Sequence, residues 1–519
     1  MNENRRHHPS FILFKIGKLI RNSVFIFLFL FIFQSDNHSA LFLYGRYIFL
    51  LFILWSIVSA VLNWLTTTYS LDNQRFYLRR GIFSKTEQSI PFSKVQNINR
   101  HTSFSHRLFG LTSISFETGI AGEDASVKFE VATKKEAARL EAAVQEPSKF
   151  VEDEPQTSLN ETEAPACAEQ VPYVSKPQDD RVIHFQPTHR DLLKASMTSF
   201  SFFLLVPLLA SLLYNISEVI GIEERLDRIG TSLVSSSLGI TAAILLIITA
   251  SFIFGIVHTF IKYGRYEISS DSTRVYIKKG VLSEASFSIA KERVQAIEIT
   301  QSFSKRIFGL AEVKLISAGS LSMESDDLSI SSLYPFLPKK KAYSIVSELL
   351  PGYHIQEDMH RLPRRSFWVR MIKPSWLWLI ATALLFYFQP NFLGINSTWW
   401  IASILLLVLV VISRILDFLH TRYCLNDEMI QLKNGGYTST LFVTKRGKIV
   451  EVEITQNRIQ RALGLSSLQT VTRARPIHTS YLEDVPDSLA RTFQGWYRGR
   501  TKEVKLDTTN HDNSLPEFR

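Results

Sequence analysis

The chain has 519 residues, 58 Lys plus Arg against 48 Asp plus Glu, a formal net charge of +10, and two cysteines, Cys167 and Cys424. So few and so widely spaced cysteines argue against a disulfide framework and offer no metal-ligand spacing. A basic balance of this kind points to nucleic acid or to an anionic membrane surface. Here the Lys and Arg flank long apolar runs, which favours the membrane, and the basic patches lack the interleaved aromatics of a nucleic-acid platform.

In chain order, six runs reach or approach the roughly 20 apolar residues that a bilayer core about 30 Å thick requires. They are Ile12 or Leu19 to Phe33, Tyr47 to Leu65, Met197 to Tyr214, Leu238 to Ile261, Trp376 to Phe388, and Trp399 to Leu416. The first opens among Lys15, Lys18 and Arg21 and is followed by no small-residue cleavage site, so it reads as a retained helix rather than a signal peptide. The fifth is short, but Trp376, Trp378, Trp399 and Trp400 form an interfacial belt that suits a helical hairpin.

The runs fall into pairs joined by the short links 34–46, 215–237 and 389–398, while Lys and Arg concentrate outside the pairs, as in Arg361, Arg364, Arg365, Arg370 and Lys373. The positive-inside rule then places both termini and the long segments in the cytoplasm. The run centres carry no Asp, Glu, Lys or Arg, which argues against an ion-coupled transporter.

A block repeats after each pair. VQNINRHTSFSHRLFGLTSI (95–114) matches VQAIEITQSFSKRIFGLAEV (294–313) at 10 of 20 positions, and the latter matches IVEVEITQNRIQRALGLSSL (449–468) at 7 of 20. Arg107, Arg306 and Arg461 align, as do Gly110, Gly309 and Gly464. Upstream, RFYLRRGIFS (75–84) matches RVYIKKGVLS (274–283), with MIQLKNGGYT (429–438) in the third copy. Tyr69, Tyr266 and Tyr423 begin the copies, and His8-Pro9, His184 with Pro187, and His360 with Pro363 precede the helix pairs.

Phe76 and Leu78 alternate with polar neighbours before a basic-basic-Gly turn, which predicts a hairpin. SFSHRLFGL predicts one short helical turn closed by Gly110 in a left-handed conformation. In TKKEAARLEAAVQ, Ala137, Leu140 and Val144 share one helical face, which predicts a closing amphipathic helix. Residues 146–180 hold nine acidic and two basic residues with several Pro, a composition of flexible linkers.

This pattern, VQxI followed by R-x-FGL behind an R-x-Y hairpin and two apolar runs, resembles the bacterial pleckstrin-homology-like (PH-like) membrane proteins of the YdbS/YdbT type, closest to the three-unit YdbT-like members. The resemblance implies a fold class: a multi-pass α-helical membrane protein with six transmembrane helices in three pairs and three small α+β PH-like domains. Each domain would be a β-barrel or sandwich capped by a C-terminal helix. It implies no catalytic residue or cofactor. It suggests as partner a smaller one-unit membrane protein, and relatives have been linked to envelope stress or antimicrobial-peptide resistance. The third copy departs from the pattern at Met429, Gln431 and Arg458.

The expected organisation is helix pair 1–66, domain 67–145, linker 146–180, helix pair 181–263, domain 264–352, helix pair 353–420, domain 421–500 and a disordered tail 501–519. The expected function is a non-enzymatic scaffold of the bacterial plasma membrane that presents three cytoplasmic PH-like domains to a partner protein, to lipid, or to further copies of itself. The alternative is an accessory of a lipid or peptide export system. The residues expected to touch lipid or partner are Arg79, Arg80, Lys278, Lys279, Arg107, Arg306 and Arg461. No metal site is expected, because His101, His106, His184 and His189 lack ligand spacing and the chain holds no HExxH.

Overall fold

The computed structural model describes residues 5–6, 8–33, 39–72, 74–81, 85–118, 126–145, 181–198, 237–317, 332–389, 399–474 and 477–502. The acidic linker, most of the third apolar run, much of the links between paired runs and nearly all of the tail lie outside these residues.

Among the described residues, three helices are long and apolar enough to cross a membrane: Phe42–Thr66, Arg364–Phe388 and Trp399–His420. Six were expected, and the shortfall has separate causes. The first run forms the helix Ser10–Leu28, but Lys15, Lys18 and Arg21 fall inside its 19 residues. The fourth lies in the helix Ser237–Tyr263, of which Ser251–Tyr263 stands as a shorter apolar segment. The third lies outside the described residues beyond Thr198. The fifth is longer than expected, because Arg364–Ile372 precedes Trp376–Phe388 and brings the stretch to 25 residues. The three long helices leave almost all of their apolar surface uncovered by protein, with Leu377 83% exposed, a cost in water that lipid removes.

Among the described residues, each repeat contributes seven strands. The first holds β1 (Arg5–Arg6), β2 (Thr68–Leu71), β3 (Arg75–Arg80), β4 (Thr86–Pro91), β5 (Val95–Thr102), β6 (Leu111–Thr118) and β7 (Ser126–Thr133). The second holds β8 (Val182–Phe185), β9 (Glu267–Ser270), β10 (Arg274–Lys279), β11 (Glu284–Ala290), β12 (Val294–Gln301), β13 (Leu310–Ser317) and β14 (Ser332–Pro338). The third holds β15 (His360–Arg361), β16 (Arg422–Leu425), β17 (Met429–Asn434), β18 (Ser439–Lys445), β19 (Ile449–Thr455), β20 (Leu465–Thr472) and β21 (His478–Pro486). The chain forms two compact units: Met1–Val182 with Arg265–Ala290, and Ile183–Gly264 with Lys291–Ala318 and Ser325–Arg519.

In the first unit a four-stranded sheet in the order β1-β2-β3-β4 and the strands β5, β6 and β7 share one core with the helix Lys134–Gln145. Phe76, Ile90, Phe116 and Phe129 fill that core, and Phe116 and Phe129 meet edge to face with centroids 6.2 Å apart. Phe76 and Leu78 point inward as their alternation predicts, and Ala137, Leu140 and Val144 form the buried face of the closing helix. The strand ahead of the first helix pairs with the strand after the second, Arg5 opposite Tyr69. Glu136 of the closing helix accepts from the Tyr69 hydroxyl at 3.2 Å and from Arg5 Nη1 at 3.4 Å. Burial first, and then this carboxylate, push the Tyr69 hydroxyl up to about 12.

In the second unit a seven-stranded sheet runs β14-β13-β12-β18-β17-β16-β15, and β19-β20-β21 form a separate three-stranded sheet. Ile430, Leu432, Phe442, Leu468, Leu482, Val485 and Phe493 of the third repeat share a core with Ala296 of the second. The strand before the last helix pair again folds back, His360 opposite Tyr423. The His/Pro echo in the first and third repeats therefore marks a short strand that ties the chain entering the helices to the domain that follows them.

The short helices Phe104–Leu108, Phe303–Ile307 and Arg458–Leu463 start at Ser103, Ser302 and Asn457, whose side chains accept from backbone N–H groups one turn on. The third keeps the cap through different chemistry: Gln460 reaches back to the Asn457 N–H at 3.0 Å and completes a capping box. Gly110, Gly309 and Gly464 close these helices at φ of 68°, 66° and 67°. Each donates its N–H to the carbonyl of the aligned arginine, Arg107, Arg306 or Arg461. The left-handed turn thus fixes where the repeated arginine stands.

Candidate functional site at the sheet junctions

Consecutive repeats are joined edge to edge. In the first unit β5 pairs with β11 over six residue pairs, from Glu284 opposite Thr102 to Ile289 opposite Asn97. In the second unit β12 pairs with β18 over six pairs, from Gln301 opposite Ser439 to Ala296 opposite Thr444. The register is the same. The ladder starts at the third residue of the receiving strand, and the partner residue there lies five positions before Val294 or Ile449. Such pairing covers two sheet edges that would otherwise invite association.

Side chains fasten both joints. At the first, Arg107 Nη1 donates to Val281 O at 2.8 Å and lies 3.9 Å from Glu284, and Arg274 Nη2 donates to Gln96 O at 3.2 Å. At the second, Thr444 Oγ1 donates to Gln295 O and Lys448 Nζ to Glu292 O, both at 2.8 Å. Glu298 pairs with His478 Nε2 at 3.0 Å, and this bond, against the effect of burial, holds the Glu298 carboxyl below the usual range.

Each joint also carries cations on one row of opposed residues, which share a face of the sheet. At the first, Arg100 lies opposite Ser286, Ser286 opposite Lys278, and Lys278 opposite Glu267. A cleft of about 490 Å³ opens there, lined by Arg100, Lys134, Arg181 and Lys278 against Glu141 and Glu284. At the second, Ile299 lies opposite Leu441, Leu441 opposite Lys433, and Lys433 opposite Arg422. The position of Glu267 is thus taken by Arg422, and two like charges face each other across antiparallel strands.

The charges that bear on Lys433 are those of Lys339, Arg422 and Arg306, all positive, and burial with this repulsion pushes its amine down to about 8. Burial also lowers Arg306, whose Nη2 is buried without a hydrogen-bond acceptor. An unsatisfied buried donor costs about 1–3 kcal/mol. Lys339 is placed by its N–H bond to Gly309 O at 3.0 Å, directly after the Arg306 helix. His420, the last residue of the helix Trp399–His420, lies 3.1 Å from the Gly435 and Gly436 carbonyls at the β17–β18 turn.

Of the seven residues named from sequence, Arg107 spans the first joint, Lys278 lines its cleft and Arg306 belongs to the cation group of the second. Arg79 is the penultimate residue of β3 with its guanidinium 3.2 Å from Glu87, Arg80 and Lys279 end β3 and β10, and Arg461 is exposed on its short helix. The structure does not bring Arg461 to a joint. Sequence reasoning missed Lys339, Arg422 and Lys433. Laying the three hairpins in register would have shown Thr68, Glu267 and Arg422 at one position, opposite Arg79, Lys278 and Lys433. Among the described residues, no group of three or more His, Cys, Asp or Glu could hold a metal ion.

These repeated β modules, each closed by one helix and interleaved with apolar helices, define a membrane protein built from PH-like domains. The family model described as Bacterial PH domain matches residues 23–148, 206–351 and 378–501, and the chain belongs to that family. It is 24% identical over 508 residues to UPF0699 transmembrane protein YdbT of Bacillus subtilis (strain 168), covering 96% of this chain and 98% of that one. No solved structure matches it.

Proposed function

We propose that this chain is a non-enzymatic scaffold of the bacterial plasma membrane, with its PH-like domains on the cytoplasmic side, where they bind a partner membrane protein or lipid. The observation that carries the reading is the edge-to-edge joining of repeats in one register at two places, which builds extended sheets rather than a catalytic cleft. The excess of Lys and Arg outside the helix pairs supports a cytoplasmic placement of both termini. The family assignment and the printed name of the Bacillus relative, a transmembrane protein, suit a non-catalytic role. A link to envelope stress and a one-unit partner protein belong to the same proposal.

The test is affinity capture of the full-length chain in mild detergent, with proteins and lipids identified in the eluate. Enrichment of one membrane protein or one lipid class over a helix-only control supports the scaffold. An eluate indistinguishable from that control contradicts it. Orientation is checked separately by impermeant cysteine labelling at position 394, which reacts from outside in this reading.

A further inference from the structure

We infer that the joint between the second and third repeats is a binding site for a phosphate-type oxyanion, held between Arg306, Arg422, Lys433 and Lys339 beside His420. The inference deepens the scaffold reading by naming what one surface takes, and it rests on that reading only for the choice of a lipid source.

Four observations converge on it. Arg422 and Lys433 stand directly opposite each other on β16 and β17, an arrangement that destabilises a sheet unless something neutralises it. Arg306 keeps a buried Nη2 with no acceptor, so the site already contains a donor in need of an oxygen. Among the described residues, two carboxylates on neighbouring elements are committed elsewhere. Asp417 accepts from Arg370 at 2.6 Å and from the Gly435 N–H at 3.0 Å, while Glu312 takes Lys305 at 2.8 Å and Lys314 at 3.8 Å. Finally, the corresponding row of the first joint contains its own answer, Glu267 opposite Lys278, whereas Lys134 there matches Lys339 here. Among the described residues, the opposed like-charge pair is therefore particular to this joint.

A tetrahedral oxyanion suits the donors. Two guanidinium groups offer planar forks and two lysines offer point charges, a combination matched to phosphate oxygens. The location favours a headgroup, since His420 ends a helix long and apolar enough to span the bilayer. A soluble phosphate has the same chemistry, and the experiment separates the two.

The full-length chain is purified in neutral detergent, and its thermal unfolding is followed as phosphatidylglycerol, phosphatidylcholine or inorganic phosphate is added, with chloride at matched ionic strength as reference. Stabilisation by phosphatidylglycerol alone assigns the site to lipid. Stabilisation by inorganic phosphate assigns it to a soluble anion. Lys433→Met and Arg306→Gln each weaken the half-saturating response roughly ten-fold or more, because each removes a charge-assisted contact. Without anion, Lys433→Met melts no lower than the parent, since it removes repulsion, so loss of response is not loss of fold. Lys278→Met responds as the parent does.

The proposal is overturned if neither phosphatidylglycerol nor inorganic phosphate stabilises the parent beyond phosphatidylcholine and chloride, or if Lys433→Met and Arg306→Gln respond like the parent. Capture of a protein partner by the Lys433→Met chain is read independently, so failure of the anion site and failure of the scaffold are told apart.

Discussion

Arg370 offers the sharpest test of how the last helix pair is attached to the third repeat. Its side chain is 6% exposed. Nη1 donates to Asp417 Oδ2 at 2.6 Å and to Thr421 Oγ1 at 2.8 Å, and Nη2 donates to Glu483 O at 3.0 Å. Nε lies 3.5 Å from Asp484, whose carboxylate is fully buried, accepts from Gln460 Nε2 at 2.8 Å and has Lys373 Nζ 3.8 Å away. Arg370→Met keeps most of the stem volume but leaves the buried Asp484 charge with a neutral donor, Gln460, and with Lys373 at the longer distance of 3.8 Å. Breaking a buried pair on one side costs about 3–5 kcal/mol, and the remaining charge dominates that cost. Adding Asp484→Asn removes the charge, and asparagine tolerates the left-handed backbone of that position, where φ is 59°. The double variant should therefore recover more than about 1 kcal/mol of the loss. Urea unfolding of the solubilised chain, read by proteolysis within the third repeat, measures both. A loss below about 1 kcal/mol for the single variant, or no recovery in the double, refutes the clamp.

Gly309→Ala should cost about 1–2 kcal/mol through backbone strain alone, since nothing lies within 4 Å of the added methyl, and Gly309→Asn should cost less; urea midpoints compare the two. Phe116→Ala, at a fully buried core position, should cost about 3–5 kcal/mol and expose the first repeat to protease. Arg107→Gln should cost less than about 1 kcal/mol, because the Arg107–Glu284 pair is solvent-exposed and long at 3.9 Å. Lys433 gives a pH signature. Its amine is held near 8 against 10.5 for an ordinary lysine, so between those values the unfolded chain keeps a proton that the folded chain has lost. Stability of the anion-free chain should rise with pH across that window, and Lys433→Met should abolish the rise. Anion binding, which needs the protonated amine, should weaken above about pH 8 in the same titration.

Local features were legible because local residues decide them. The alternation at Phe76 and Leu78, the left-handed Gly110 and the apolar face of Ala137, Leu140 and Val144 each state their structure in a few positions. Two kinds of information were not local. The partner of an edge strand cannot be read from its own period, so the pairing of β5 with β11 and of β12 with β18 is hidden even where the hairpin is legible. The site followed the same division. Arg107 and Arg306 were visible by repetition, whereas Arg422 and Lys433 gain meaning only from being opposite each other. Arg370 was counted as a positive-inside residue when its place is a buried clamp, since sequence position near an apolar run does not reveal burial. The run count failed where charges intrude, as at Lys15, Lys18 and Arg21 in the first helix.

Consecutive repeats share continuous sheets in one fixed register. Thr300 and Thr440 lie directly opposite each other across the second joint. Opposed residues of antiparallel strands fall within reach of a disulfide. With Cys167 and Cys424 replaced by serine, a Thr300→Cys, Thr440→Cys chain should form an intramolecular disulfide under mild oxidation in native membranes, while Thr300→Cys paired with Thr444→Cys should not. Absence of the first cross-link, or its appearance only between separate chains, would contradict the shared sheet.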